Sequence, residues 1–437
     1  MRPHLLQVLG LAFLLFSADR ALADNRFILR APSAAVAAIA ARHNLSIGSV
    51  TDSQSLTLVI SSDARTPDQV AAELSADSDV IAIEPDRAVA VLDSGPGLTQ
   101  STAAILDAIQ NRAPMTYFGT TVWTSYVKQP AEDVIRLDAA QPLATGAGIV
   151  AVIDTGVDPA QPVLQSSLVP GFDFVNGVAG IPSELTELAP SVAATITQNP
   201  TADKNSMVQL NQSTAAILDQ STAAILDATQ VPGAFGHGTM VAGIIHLVAP
   251  TAQIMPVKAF RDDGSANLLD IVRAIYFAVD NGARVINMSF SMPNASVELT
   301  KAVNYATNHG VICVSAAGNS GQETLVFPAA YQNVIGVAST TNQDARSAFS
   351  NFGAALVELA APGENIVTVY PGGNYAVVSG TSFAAPFVSG GVALILQLNP
   401  RLSQKGALSA FSGGARRLTP DLGFGRLDLY EAIGDRD

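Results

Sequence analysis

The sequence predicts an α/β protein: a parallel sheet with helices on both faces, preceded by a small α+β ferredoxin-like module. Three observations lead there. A chain of 437 residues is too long for one ordinary domain and points to two or three. From about Ala131 onward, short and almost wholly apolar runs alternate with helical segments, the pattern of strands buried on both faces of a parallel sheet. Between Asn25 and about Leu92 the runs are shorter and follow a β-α-β-β-α-β order.

The composition supports a globular chain, with 48% hydrophobic and 14% charged residues. Long disordered or collagen-like chains are thereby excluded. With 37 acidic against 23 basic residues the net charge is −14, so a surface that tracks nucleic-acid phosphates has no support.

Taken in order, residues 1–23 have the pattern of a secretory signal. Arg2 precedes an apolar stretch from Leu5 to Phe16, and Ala21-Leu22-Ala23 supplies a small-residue cleavage site. The stretch is short for a membrane span, which favours a cleaved signal over an uncleaved anchor. No later run is apolar for long enough to span a bilayer, so a secreted product, extracellular or periplasmic, without stable membrane insertion is expected.

Residues 24–92 form the small module. Phe27-Ile28-Leu29 predicts a strand, Ala34 to His43 a helix, and Leu56 to Ile60 a strand. Pro67 opens a second helix to about Leu74, and Val80 to Ile83 is a further strand. Residues 93–130 lack sustained periodicity and contain Gly95-Pro96-Gly97, so they are expected to be a linker.

Within that linker lies the string Gln100 to Asp107 (QSTAAILD), which recurs from Gln212 to Asp219 and in tandem from Gln220 to Asp227. Three such copies are too few and too short for a solenoid. Either the copies are solvated insertion, or the tandem pair folds beside the site and pairs with the linker copy.

Residues 131–437 form the large domain. Its predicted strands are Ile149 to Ile153, Gln253 to Ala259, Arg284 to Met288 and Val311 to Val314. Helices are predicted over Asn267 to Asn281 and Ser296 to His309, the latter stopped by Gly310. In such sheets sites gather at the carboxyl ends of the strands.

The single cysteine, Cys313, rules out intramolecular disulfides and cysteine-rich metal sites. Its apolar neighbours Val311, Ile312 and Val314 predict a buried, inert thiol. Five histidines (His4, His43, His237, His246 and His309) are the only imidazoles available as a base. His246, near a helix end, is expected to be a helix-end cation or a packed residue, and Asp262-Asp263 a solvated turn before Gly264.

Three segments fall at strand ends or helix starts. Asp154-Thr155-Gly156 follows the strand ending at Ile153. Gly236-His237-Gly238-Thr239 precedes an apolar helix, and Ser379-Gly380-Thr381-Ser382 precedes another. Among the convergent serine hydrolase triads, the order Asp, His, Ser distinguishes one type from those ordered His-Asp-Ser and Ser-Asp-His.

The chemistry requires these residue types. A serine hydroxyl is a poor nucleophile at neutral pH, so His237 must take the proton of Ser382 and return it to the leaving group. Asp154 would fix the imidazole tautomer and stabilise its cation. Ser382 at a helix start has free N–H groups and the helix dipole to favour an oxyanion. Asn319, in Ala316-Ala317-Gly318-Asn319, is placed just past a strand to add a side-chain donor.

Together the segments Val152 to Asp158, Gly236 to Gly243, Ala316 to Asn319 and Gly380 to Pro386 resemble the subtilisin family of serine peptidases. The resemblance covers about Ala131 to Ile433. It implies a subtilisin-like fold, a secreted serine endopeptidase acting on polypeptides through an acyl-enzyme on Ser382, and no cofactor. It also implies that Ser289-Phe290-Ser291 and Ala316-Ala317-Gly318 line the groove that binds the residue before the scissile bond. By the same resemblance, residues 24–92 correspond to a propeptide, an intramolecular inhibitor that assists folding and is cut away by self-processing, with the maturation site in the linker.

Some positions depart from the family pattern. Met240, Phe383, Phe387 and Ser291 stand where other residues are common, which affects substrate preference rather than chemistry. The chain between Asp158 and Gly236 is longer than in relatives, so residues 158–235 are read as an insertion. His246 to Pro250 passes directly to the next strand without the family's calcium loop, so no metal is assigned. Two other functions compete. An esterase of the α/β-hydrolase kind is disfavoured because Gly380-Thr381-Ser382-Phe383-Ala384 is no Gly-x-Ser-x-Gly elbow. The other is a non-catalytic scaffold that uses the repeats.

Overall fold

The computed structural model describes residues 25–50, 54–90, 111–198, 207–211, 214–215 and 232–434. Residues 1–23, expected as a signal, the repeats at 100–107 and 220–227, and all of the repeat at 212–219 except residues 214–215 lie outside the described residues. The chain divides into two units, one comprising residues up to Val89 with 267–269 and 296–298, the other the remainder.

In the first unit, Arg26–Arg30, Leu45–Val50, Leu56–Ser61 and Ala82–Pro85 form an antiparallel sheet. Arg26–Arg30 lies between Leu56–Ser61 and Ala82–Pro85, and Leu45–Val50 forms the other edge. With helices Val36–Arg42 and Pro67–Ser75 this gives the expected β-α-β-β-α-β order. Phe27, Leu29, Ile39, Val59, Val70 and Leu74 make the core. The second helix starts where the sequence directs, because Thr66 and Gln69 exchange hydrogen bonds as a capping box ahead of Pro67. Strand Leu45–Val50 is not evident in the sequence, since Gly48 interrupts its alternation and the register shifts between Ile47 and Ser49.

The second unit is built on an eight-stranded sheet. Its spatial order is Val178–Gly180, Gly171–Asp173, Gln253–Lys258, Ile149–Asp154, Ala283–Met288, Ile312–Ala316, Ile335–Thr340 and Leu359–Pro362. All neighbours are parallel except the first pair. The central strands are almost wholly buried because both faces are covered. Helix Leu268–Asp280 and helix Val297–Asn308 fall within a residue or two of their predicted ends.

Helix Thr381–Leu398 corrects one expectation. It is long and apolar enough to cross a membrane, yet 89% of it is buried in the protein core. Its apolarity is that of a core helix enclosed on all sides.

The segment expected as a linker has structure in its second half. Pro114–Tyr117 and Thr120–Trp123 pair as a hairpin, followed by helix Thr124–Val127. Tyr117 and Tyr126 are buried and donate their hydroxyls to the carbonyls of Leu247 and Gly243, at 2.5 and 2.6 Å. Strands of four residues are too short to show a period in sequence.

The insertion is likewise structured where it is described. Gly171–Asp173 and Val178–Gly180 extend the large sheet. Met207–Asn211 pairs in parallel with Asn374–Ser379, which itself forms a hairpin with Ile366–Tyr370.

Candidate active site

Register brings the site together. Asp154 ends its strand opposite Lys258, while Met288 lies opposite Ile153 and beside Ser315. The backbone leaving Ile149–Asp154, Ala283–Met288 and Ile312–Ala316 therefore emerges side by side at the carboxyl edge. Asp154, Ser289-Phe290-Ser291 and Ala317-Gly318-Asn319 follow from that edge, as expected for an open parallel sheet.

His237 opens helix His237–Val248, all of whose residues are buried. Two glycines make this possible. Gly236 takes φ +85°, and a side chain there would meet the Tyr370 ring at 2.5 Å. A Cβ on Gly238 would lie 2.0 Å from the Gly156 carbonyl oxygen, so only glycine lets the helix start approach the Asp154 loop.

His237 Nδ1 lies 2.7 Å from Asp154 Oδ1, with both residues buried. The Thr155 N–H donates to the same oxygen at 2.8 Å. Asp154 Oδ2 is buried with no hydrogen-bond partner among the described residues.

Ser382 is the second residue of helix Thr381–Leu398. The next residue, Phe383, packs its ring against that of His237 with centroids 5.4 Å apart. The Ser382 hydroxyl donates to the Ser289 carbonyl at 3.2 Å, and Ser289 Oγ in turn donates to the Ser382 carbonyl at 2.8 Å. Behind this pair, Asn287 donates to Ser289 Oγ at 2.9 Å and accepts from Ser389 Oγ at 2.8 Å. The Ser289 side chain, placed in a groove by the resemblance, is thus wholly buried and braces the helix that bears Ser382.

Asn319 Oδ1 accepts from the Thr381 N–H and hydroxyl, at 2.8 and 3.0 Å. With the oxygen fixed there, the amide end of the side chain is left as the donor. Phe290 packs on Phe260 with centroids 5.0 Å apart. The Gly318 N–H is held by Thr381 Oγ1 at 3.1 Å. Ala316, Ala317 and Phe290 are buried, and Ser291 lies at the boundary of burial.

The remaining histidine and acidic expectations divide. His246 is buried beside Ser167 Oγ at 3.0 Å, and burial lowers its pKa to about 4, so it is a neutral packed residue rather than a helix-end cation. Cys313 is buried, and burial pushes its thiol up to about 12.

Asp262 corrects the expectation of a solvated turn, since it is buried and paired with Lys258 at 3.0 Å. Lys258, itself wholly buried, also reaches Glu187 at 3.0 Å and donates to the Thr155 carbonyl at 2.6 Å. Burial still raises Asp262 to about 6 despite that cation.

Sequence reasoning missed Glu184 altogether. It is fully buried directly behind Asp154 and His237, and nothing in Ser183-Glu184-Leu185 distinguishes it from a surface acid. Among the described residues one carboxylate trio, Glu132, Asp133 and Asp138, is close enough to share a cation. The Lys128 ammonium already lies against Glu132 and Asp138, at 3.2 and 2.6 Å.

Comparison with known proteins agrees with this geometry. A family model described as "Subtilase family" matches residues 146–411. Subtilisin BL of Lederbergia lenta is 41% identical over 177 residues, which is 38% of this chain and 65% of that protein. The alkaline protease of Shouchella clausii is 41% identical over 177 residues but is covered over only 46% of its length. The chain thus spans less than two thirds of these relatives. Thermitase of Thermoactinomyces vulgaris is 33% identical over 320 residues, 70% of this chain and 96% of that protein.

Among solved structures, fervidolysin from Fervidobacterium pennivorans, described as a keratinolytic enzyme related to subtilisin, superposes with a TM-score of 0.67. The match covers 94% of this chain and 61% of fervidolysin at 22% identity, a likeness that concerns the fold alone.

Proposed function

The chain belongs to the subtilase family, and from that premise we propose that it is a serine endopeptidase using Asp154, His237 and Ser382 on polypeptide substrates. One observation carries the reading: the buried 2.7 Å bond between His237 Nδ1 and Asp154 Oδ1, with His237 packed against the helix start that bears Ser382. With a carboxylate as its partner there, Nδ1 carries the imidazole proton and Nε2 serves as the base in this reading.

In the reaction Ser382 Oγ gives its proton to His237 Nε2 and attacks the scissile carbonyl carbon. The hydroxyl starts from a 3.2 Å bond to Ser289, longer than the usual 2.7–2.8 Å and therefore weak to give up. The oxyanion is met by the Asn319 amide and by N–H groups at the start of helix Thr381–Leu398. His237 then protonates the leaving amine, and a water molecule repeats the cycle on the acyl-enzyme. Ser289-Phe290-Ser291 and Ala316-Ala317-Gly318, leaving adjacent parallel strands, are the backbone against which an extended substrate would lie.

We further propose that residues 1–23 direct export and that residues 24–92 are an inhibitory propeptide removed by self-processing. The β-α-β-β-α-β module with its own core supports the second part.

A fluorophosphonate probe labelling the wild type but not Ser382→Ala tests the nucleophile. Casein cleavage is expected. Ester turnover alone would favour an esterase, and failure to label would favour a non-catalytic scaffold.

A further inference from the structure

Glu184 belongs to none of the motifs, yet its carboxyl is fully buried behind the Asp154–His237 pair. It comes from the insertion, whose chain is fastened here: the Val157 N–H donates to the Pro182 carbonyl at 3.0 Å, and the Glu184 N–H to the Val157 carbonyl at 3.2 Å. Its Oε1 accepts from the Thr155 hydroxyl at 2.5 Å and the Gly238 N–H at 3.0 Å, while Oε2 accepts from the Thr239 hydroxyl. Thr239 Oγ1 in turn accepts the Asp158 N–H at 2.7 Å. One carboxyl therefore ties the residue after Asp154 to the two residues after His237.

The link reaches the catalytic aspartate through Thr155. Thr155 Oγ1 is also 3.3 Å from Asp154 Oδ1, the oxygen that carries the His237 bond. The hydroxyl has one proton to give. While Glu184 is ionised, that proton goes to Glu184. When Glu184 holds a proton on Oε1, it donates to Thr155 Oγ1, and the threonine proton is released to Asp154 Oδ1. Asp154 Oδ2 has no hydrogen-bond partner among the described residues, and a bond gained or lost at Oδ1 falls on the same oxygen that orients the imidazole.

We propose, on the basis of the peptidase reading above, that Glu184 is a positioning residue for hydrolysis, holding Asp154 and His237 in register and acting on Asp154 through the Thr155 hydroxyl. Burial raises Glu184 to about 8, which places its titration at neutral to mildly alkaline pH. The charged and titratable groups facing it are Asp154, His237, Lys258, Asp262, Glu187 beyond Lys258, and Tyr370.

The test measures kcat and KM on full-length chain, per active site counted with a fluorophosphonate, from pH 5.5 to 10. Glu184→Ala is expected to lower kcat by about tenfold to a hundredfold, the scale of a small misplacement of catalytic groups, with KM nearly unchanged. Glu184→Gln must turn its carbonyl oxygen to the Gly238 N–H and the Thr155 hydroxyl and donate its amide to Thr239, so it keeps the ties without titrating and is expected to restore most of kcat at neutral pH. It should also remove an inflection near pH 8 that the wild type shows. Thr155→Val should remove the same inflection with Glu184 still in place.

A per-site kcat in Glu184→Ala equal to that of wild type would reduce Glu184 to a folding role and overturn the proposal. If that variant does not fold, Glu184→Gln and Thr155→Val decide: retention of the inflection in both overturns it. A wild type that neither labels nor cleaves peptides would instead sink the peptidase reading itself.

Discussion

Ser382 and Ser289 exchange hydrogen bonds through their hydroxyls and carbonyls, so the proposed nucleophile is held from both its side chain and its main chain. Asn319 is held in the same way, with its oxygen occupied by Thr381. Truncating Asn319 to alanine is expected to lower kcat roughly 10²–10³-fold, about 2.7–4 kcal/mol, with little change in KM, a magnitude established on subtilisin itself rather than derived from this geometry. Steady-state kinetics on a peptide substrate checks it; an equal loss in KM would assign Asn319 to ground-state binding instead. Lys258 offers a stability prediction of a different kind. Its ammonium is buried against Asp262 and Glu187, so Lys258→Met leaves acidic groups in the interior without their cation. Such removal of one partner costs about 3–5 kcal/mol. Urea denaturation in a Ser382→Ala background, which avoids self-digestion, is expected to show a loss of that order, and an unchanged midpoint would refute it.

Helix His237–Val248 carries the base at one end and a neutral histidine near the other. His246 has a folded pKa near 4 against an ordinary value of 6.5, so the unfolded chain takes up a proton over that interval while the folded chain does not. Stability from this residue is therefore complete above pH 6.5 and is lost as the pH falls from 6.5 toward 4. His246→Gln cannot titrate, and the drop in unfolding free energy between pH 7 and pH 4.5 should be smaller than in the parent by about 2–3 kcal/mol. Equal drops would show that His246 is accessible to protons in the folded chain. The same helix shows what the sequence makes legible. Gly236-His237-Gly238-Thr239 is readable because close approach demands glycine at fixed positions beside the reactive side chain. Apolar strands such as Ile149–Asp154 are readable because burial on both faces leaves a continuous run. Glu184, Lys258 and Asp262 were not readable as a cluster. Their burial depends on the insertion docking at Val157 and on register between distant strands, and neither leaves a local pattern. Short strands, among them Thr120–Trp123 and Gly171–Asp173, owe their pairing to neighbours rather than to any period of their own.

At the scale of the whole molecule, the boundary of the proposed mature enzyme follows from what the large unit cannot lose. The hairpin Pro114–Tyr117/Thr120–Trp123 and helix Thr124–Val127 are part of its core. Tyr117 and Tyr126 hydrogen-bond to the helix that begins at His237, and Trp123 stacks on Tyr375 with ring centroids 4.4 Å apart. Gln129 adds a two-point bond to the Val367 backbone, donating at 2.9 Å and accepting at 3.0 Å. Losing even one large buried aromatic costs about 3–5 kcal/mol, and a domain as a whole holds only about 5–15 kcal/mol. A maturation cut anywhere from Asn111 to Pro130 would therefore destabilise the very helix that presents the base. The cut is expected between the end of the first unit at Val89 and Asn111, which retains the hairpin in the product. Intact mass and N-terminal sequencing of the secreted protein, made in a protease-free host alongside Ser382→Ala, test both the place and the agent. The wild type should begin at or before Asn111 and the variant should keep its propeptide. A product beginning after Asn111 would contradict the boundary, and identical maturation of both chains would contradict self-processing.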